Sequence, residues 1–118
     1  MKPVRLKRAY DAPSSDDGLR VLVDRLWPRG LRRDSSKIDL WLKDVAPSDG
    51  LRRWFGHDPS RWVEFEKRYR AELAKNAQNV ASLRELLKGD KPLTLLYAAK
   101  DSEHNNAIVL RDFLRRRG

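Results

Sequence analysis

The sequence predicts an α/β protein: one domain over residues 1–118, with a mixed sheet of about four strands and helices packed on it. The predicted order is β-β-β-α-α-β-α. Three observations support it. Short apolar runs alternate or branch in the manner of strands and are bounded by turn residues. Trp62, Phe65, Tyr69 and Leu73, and again Ala107, Leu110 and Leu114, recur at helical spacing. The two kinds of segment are interleaved, which favours a sheet with helices laid on it over separate layers.

Val4 to Tyr10 alternates Val4 and Leu6 with Arg5 and Lys7, the pattern of a half-buried strand. Residues 11–18, Asp-Ala-Pro-Ser-Ser-Asp-Asp-Gly, are turn chemistry. Leu19 to Val23 is dense in branched apolar residues and reads as a buried strand, paired with the first as a hairpin with a long connection. Arg25 to Lys37 holds Pro28 and Gly30, has no sustained period and reads as loop. Ile38, Leu40 and Leu42 alternate with Asp39, Trp41 and Lys43 as a third strand. Around Pro47-Ser48-Asp49 lies a helix cap. Leu51, Trp54 and Phe55 follow as a short helical stripe closed by Gly56. Asp58 caps a second helix with Pro59 at its first position. Its stripe continues through Val80, Leu83 and Leu87 to Gly89, with a break or kink expected at Asn76 to Asn79. Glu64–Arg68 and Glu66–Arg70 are spaced as ion pairs on its exposed side. Leu93 to Ala98 is the fourth strand. Asp101 or Ser102 caps the last helix, whose Arg115, Arg116 and Arg117 suit the negative end of its dipole.

Composition narrows the function classes. There are 0 Cys, so disulfides, thiolate nucleophiles and zinc-thiolate centres are excluded. No stretch has the length and apolarity of a membrane span or a signal peptide, so a cytoplasmic protein with no membrane partner is expected. The net charge of +9 favours anionic partners, and the basic excess lies mainly toward the two ends of the sequence. Glycine-rich phosphate loops, nucleophile elbows and dinucleotide fingerprints are absent from the sequence. Ser14, Ser15, Ser35 and Ser36 have no surroundings that mark a nucleophile. His57 and His104 lack metal-ligand spacing, so no metal site and no cofactor is expected.

Two polar segments follow strands: Asp24-Arg25-Leu26-Trp27-Pro28-Arg29-Gly30, and Lys100-Asp101-Ser102-Glu103-His104-Asn105-Asn106. In open α/β sheets ligands sit beyond the C-terminal strand ends. The candidate catalytic residues are Asp24, Asp101 and His104, with an aspartate orienting the imidazole. The candidate ligand-binding residues are Arg25, Trp27, Arg29, Lys43, Asn105 and Asn106, the arginines as phosphate forks. Each also has a structural reading. Asp24 is a natural arginine partner, Trp27 and Pro28 pack a loop down, and the asparagines satisfy backbone near a helix start. His57 reads as part of the helix start at Asp58-Pro59.

Residues 23–30, Val-Asp-Arg-Leu-Trp-Pro-Arg-Gly, resemble the signature of the YeaO-like proteins, a bacterial domain-of-unknown-function family. Residues 41–48 and 51–59, and the blocks Leu95 to Asp101 and His104 to Ala107, are similar to its further blocks. The resemblance covers nearly the whole chain. It implies a single intracellular α/β domain and supplies no activity. Some relatives carry a transcriptional-regulator label, but the strand-rich order here offers neither helix-turn-helix nor dimer helix. More distant, longer relatives carry a Cys-containing version of the last block, where this chain has Ala98 and Ala99.

Three functions are compatible with these features. One is binding or processing of a small anionic, phosphate- or nucleotide-like ligand at the strand-end loops. A second is a nucleic-acid-binding accessory protein, from the net charge and from aromatics beside arginines, as in Arg25–Trp27–Arg29 and Arg52–Arg53–Trp54. A third is a structural or protein-interaction module. Oligomeric state and reaction are left open by the sequence.

Overall fold

The computed structural model describes residues 4–34 and 36–115. Ser35, Arg116 and Arg117 lie outside the described residues. Four strands form one sheet: β1 (Val4–Arg8), β2 (Leu19–Leu22), β3 (Leu40–Trp41) and β4 (Leu93–Tyr97). Their spatial order is β1-β4-β2-β3, and every pairing is parallel. The expected mixed sheet is therefore corrected, and so is the expected hairpin. β1 and β2 do not touch as partners. β4 lies between them, with Val4 and Leu19 both level with Leu93. The connection through residues 9–18 is long enough to run back beside the sheet, so the turn residues in it do not make a reversal.

β4 is buried along its whole length, as a strand with neighbours on both edges and cover on both faces must be. Val4, Val21, Val23, Leu93, Leu95 and Tyr97 face the main core, which the helices complete with Phe55, Phe65, Tyr69, Leu83 and Leu110. The helices are α1 (Asp49–Phe55), α2 (Trp62–Ala74), α3 (Ala77–Leu86) and α4 (Asn106–Arg115). Ser48 caps α1 and Gly56 ends it at φ 53°, as the sequence predicts. Asp58 caps a short 3-10 turn with Pro59 first, and the predicted pairs Glu64–Arg68 and Glu66–Arg70 stand at 2.8 and 3.7 Å. The predicted long helix is two helices. Asn76 leaves helical geometry at ψ 42°, and its side chain donates to the Asp44 carbonyl. The third strand is shorter than expected, because Lys43–Val45 turns into a 3-10 helix.

The opposite face carries Ala9, Leu22 and Leu96, packed by Trp27, Leu31, Ile38 and Trp41. Its cover here comes from the long segment between β2 and β3. At the other end of that face lies a buried ionic cluster. Arg20 is 3% exposed and Asp17 5%. Arg20 Nη1 lies 2.6 Å from Asp17 Oδ2, Lys7 Nζ lies 3.1 Å from the same oxygen, and Thr94 Oγ1 donates to the Asp17 carbonyl. Arg20 also donates to the carbonyls of Lys37 and Asp11. Burial by itself raises the Asp17 carboxyl, but the Ser14 N–H, Arg20 and Lys7 outweigh it and hold the group below its ordinary 3.8. This cluster fastens the 9–18 connection under the sheet.

Gly18 has a conformation and a location that only glycine fits. Its φ is +64°, and a Cβ there would stand 2.2 Å from the Pro92 carbonyl oxygen. That carbonyl also accepts the Leu19 N–H.

Gly18→Ala is therefore expected to cost at least about 2 kcal/mol, from left-handed strain plus the clash, read by urea unfolding. Asp17→Asn strands two cations and is expected to cost roughly 3 kcal/mol at pH 7. The wild-type advantage exists above 3.8, the ordinary value for the unfolded chain. It is lost as pH falls through the depressed folded value, so the two proteins converge in acid. A constant gap from pH 7 to 2 would contradict the assignment.

Candidate functional site

Parallel pairing puts the C-terminal ends of β1, β2 and β4 on one edge of the sheet, and the segments leaving them meet there. A cavity of about 460 Å³ opens at this edge. Tyr10 lines it from beyond β1, and Asp24 to Arg29 from beyond β2. Ala98, Ala99, His104, Asn105 and Asn106 line it from beyond β4. Helix α1 supplies Arg52, Arg53 and Phe55, followed by Gly56 and His57, and α2 supplies Phe65. Phe55 and Phe65 stack at 4.3 Å between ring centroids and give this basic cavity an apolar wall.

Asp24 ties the strand ends together. Its Oδ2 accepts the Ala98 N–H at 2.9 Å, and its backbone carbonyl accepts the Trp41 indole N–H at 2.8 Å. Asn106, the first residue of α4, hydrogen-bonds the Asp24 carboxyl and donates to the Val23 carbonyl at 3.0 Å. Burial pushes the Asp24 carboxyl above 3.8, and the Ala98 and Asn106 hydrogen bonds, with His57 and Arg52 nearby, only partly offset it. Arg8 clamps the other strand end by donating to the carbonyls of Ala98 and Ala99.

Asp101 holds His104. The Asp101 Oδ1 accepts the backbone N–H groups of Glu103 and His104, and its Oδ2 lies 2.8 Å from His104 Nδ1. The Glu103 N–H, followed by His104, keeps the Asp101 carboxyl below 3.8. An ionised partner on Nδ1 leaves Nε2 as the proton-accepting nitrogen of the neutral ring. Trp62 meets the imidazole edge-on at 5.3 Å. Asp101 does not cap α4 as expected. Asn105 does, its Oδ1 accepting the Ile108 N–H and its Nδ2 donating to the Asp101 carbonyl. A residue that is 1% exposed and bonded at both ends of its amide is there for the backbone first.

The arginines differ in freedom. Arg25 donates to the carbonyls of Pro47 and Ala46 and so is half committed. Arg52 and Arg53 share Asp49, at 2.6 and 2.9 Å, but the Arg52 Nε is buried without a partner. Arg29 is exposed, and among the described residues only its backbone carbonyl is engaged, by the Tyr10 hydroxyl at 2.8 Å. Trp27 packs edge-on against Trp41 at 5.5 Å and donates to the Leu31 carbonyl, while Arg33 covers both indoles. Lys43 lies over the Trp41 ring and is not on the cavity wall.

Of the candidates read from sequence, Asp24, Arg25, Trp27, Arg29, His104, Asn105 and Asn106 thus share one cavity, with Asp101 behind His104. Tyr10, Arg52, Arg53 and His57 are on the wall without having been named for this site. Nothing in their local sequence points to it, because α1 arrives by packing and not by strand order. His57 has φ 57°, beside Gly56 at 53°. A non-glycine residue pays about 1–2 kcal/mol for that region. Among the described residues no group of three or more side chains is arranged to hold a metal ion. No helix among them is long and apolar enough to cross a membrane.

Comparison with known proteins gives a consistent picture. Residues 3–117 match the family described as "Inactive DUF488-N3 subclade". The chain is 43% identical over 112 residues to "Uncharacterized protein YeaO" of Escherichia coli, covering 95% of this chain and 96% of that one. It is 44% identical over 111 residues to "Uncharacterized protein Mb3100c" of Mycobacterium bovis and "Uncharacterized protein Rv3073c" of Mycobacterium tuberculosis. Those matches cover 94% of this chain and 92% of each relative. No solved structure matches the chain.

The two cavity-side aspartates are expected to titrate on opposite sides of 3.8, Asp24 above and Asp101 below, in carbon-detected NMR of the carboxyl groups. For Asp24 the sign is the reverse of Asp17. Its contribution is fully present below 3.8 and is lost as pH rises through the raised folded value. Coincident midpoints would refute the described environments.

Proposed function

The chain belongs to the DUF488-N3i family, the inactive DUF488-N3 subclade, and on that premise we propose that it is a cytoplasmic binding protein for a small anionic ligand of the phosphate- or nucleotide-like kind. The observation that carries this reading is the cavity wall. Four arginines reach it from two elements, one exposed without an ion pair and one with a buried, unpartnered Nε. Guanidinium forks match phosphate oxygens in pairs, and in a partly apolar cavity each such bond is stronger than in water. Asp24 on the same wall adds a group that can accept from a ligand hydroxyl or N–H, as a sugar phosphate or nucleotide has. The absence of cysteine from the sequence, with Ala98 and Ala99 after β4, and the word inactive in the family's description both support binding over covalent catalysis.

The second reading is a nucleic-acid surface, and its support is the net charge of +9. Base stacking has less to work with. Trp27, Trp41 and Trp54 are half-buried, and each already carries an arginine over its ring. The cavity reading therefore ranks first.

Thermal unfolding with inorganic phosphate, sugar phosphates, nucleoside monophosphates and short oligonucleotides at two salt concentrations tests both. A small anion at a hundred times its Kd is expected to add about 2.7 kcal/mol. Arg29→Ala is expected to leave the unliganded protein within about 0.5 kcal/mol of wild type and to weaken that ligand tenfold or more. If only oligonucleotides stabilise, and salt removes the effect, the second reading replaces the first.

A further inference from the structure

The position of His57 is unexplained by the fold. Two successive residues, Gly56 and His57, turn left-handed as α1 ends. The first is a glycine, which adopts this region freely, and the second is not. The His57 side chain is exposed, and among the described residues its imidazole makes no hydrogen bond or ion pair. Its one ring neighbour is Phe55, tilted at 6.3 Å, near the outer limit for a favourable aromatic pair. A strained residue whose side chain does little for the fold is evidence of another demand on that side chain.

The demand that fits is in the cavity. His57 lines it next to Arg52 and Arg53, which leave the last turn of α1. Across the wall stand Arg25 and Arg29 of the segment after β2, with Asp24 at its root. Tyr10 and His104 complete the titratable groups on the wall, and Asp58 follows in the chain, engaged with Ser60. We infer that His57 is a direct ligand of the bound anion, and that the anion is a phosphoryl group, mono-esterified or free. This rests on the reading of the cavity as an anion site. A single carboxylate is satisfied by one guanidinium fork. A phosphoryl dianion has three terminal oxygens and accepts from several arginines and an imidazole together. Protonation of the imidazole turns it into a charged donor, so the contribution of His57 grows as pH falls.

Calorimetric titration with inorganic phosphate at pH 6 and pH 8 tests this, using wild type, His57→Gly and His57→Asn. Both replacements accept left-handed backbone and neither carries charge. The expected result is a melting temperature no lower than wild type, up to about 3 °C higher, with phosphate affinity about tenfold weaker at pH 6 and less affected at pH 8. The ratio of wild type to variant is the quantity to read, since the ligand's own protonation cancels in it. Undiminished affinity in the variants overturns the inference while leaving the cavity reading intact, provided Arg29→Ala still weakens phosphate. Variants that lose stability and affinity together also overturn it, because the imidazole then supports the loop and not the ligand. If wild type takes up no phosphate at either pH, the inference and the phosphate form of the cavity reading both fall.

Discussion

Both edges of β4 are hydrogen-bonded to strands that precede it by some seventy residues or more, and in parallel. Hairpins cannot produce this arrangement, and only a long crossover can. Residues 42–92, with α1, α2 and α3, are that crossover. Once β4 is seated between β1 and β2, three strands end on the same edge, and the segments that leave them have no choice but to converge. The cavity, the Asp24 tie to Ala98 and the seat of α4 on Val23 are all consequences of that insertion. The electrostatics follow the same division. Asp17, under the sheet, meets two cations and is held ionised, whereas Asp24, at the open edge, is desolvated and drawn toward its proton.

The elements themselves were legible in the sequence, and their partners were not. Ser48, Gly56, Asp58 and Pro59 announce their helix ends because caps are local chemistry. The parallel course of β1 and β2 was hidden because residues 11–18 look like a reversal. What they build is a 3-10 turn that brings Asp17 under Arg20 and Lys7. The same limit applies to the site. The rule that ligands gather at strand ends finds the Asp24 and His104 segments. It says nothing of Arg52, Arg53 or His57, which come from a helix lying across that edge. Asn105 shows how the two readings of a polar block can meet in one residue: it lies on the cavity wall, and both ends of its amide hold the start of α4.

Charge alone is a poor guide to the working surface of this chain. Much of the positive excess is already engaged: Arg20 with Asp17, Arg8 and Arg25 with carbonyls, and Arg33 over two indoles. Arg29 is the wall arginine whose guanidinium has no such duty, and the Arg52 Nε is the buried donor left over. A small set of groups, set apart from the many that stabilise the fold, is what a binding site in a highly charged protein requires.

The segment between β2 and β3 has two faces. One carries Arg25, Trp27 and Arg29 to the cavity wall. The other, through Trp27, Leu31 and Ile38, keeps water from Leu22 and Leu96. Among the described residues that side is packed by this loop, which therefore shields the amide protons of the central strands, and loops open more readily than helices. Slow exchange at the heart of the sheet is thereby made to depend on the same few residues that would hold a ligand. An occupied cavity would register as quieter breathing in strands that no ligand touches.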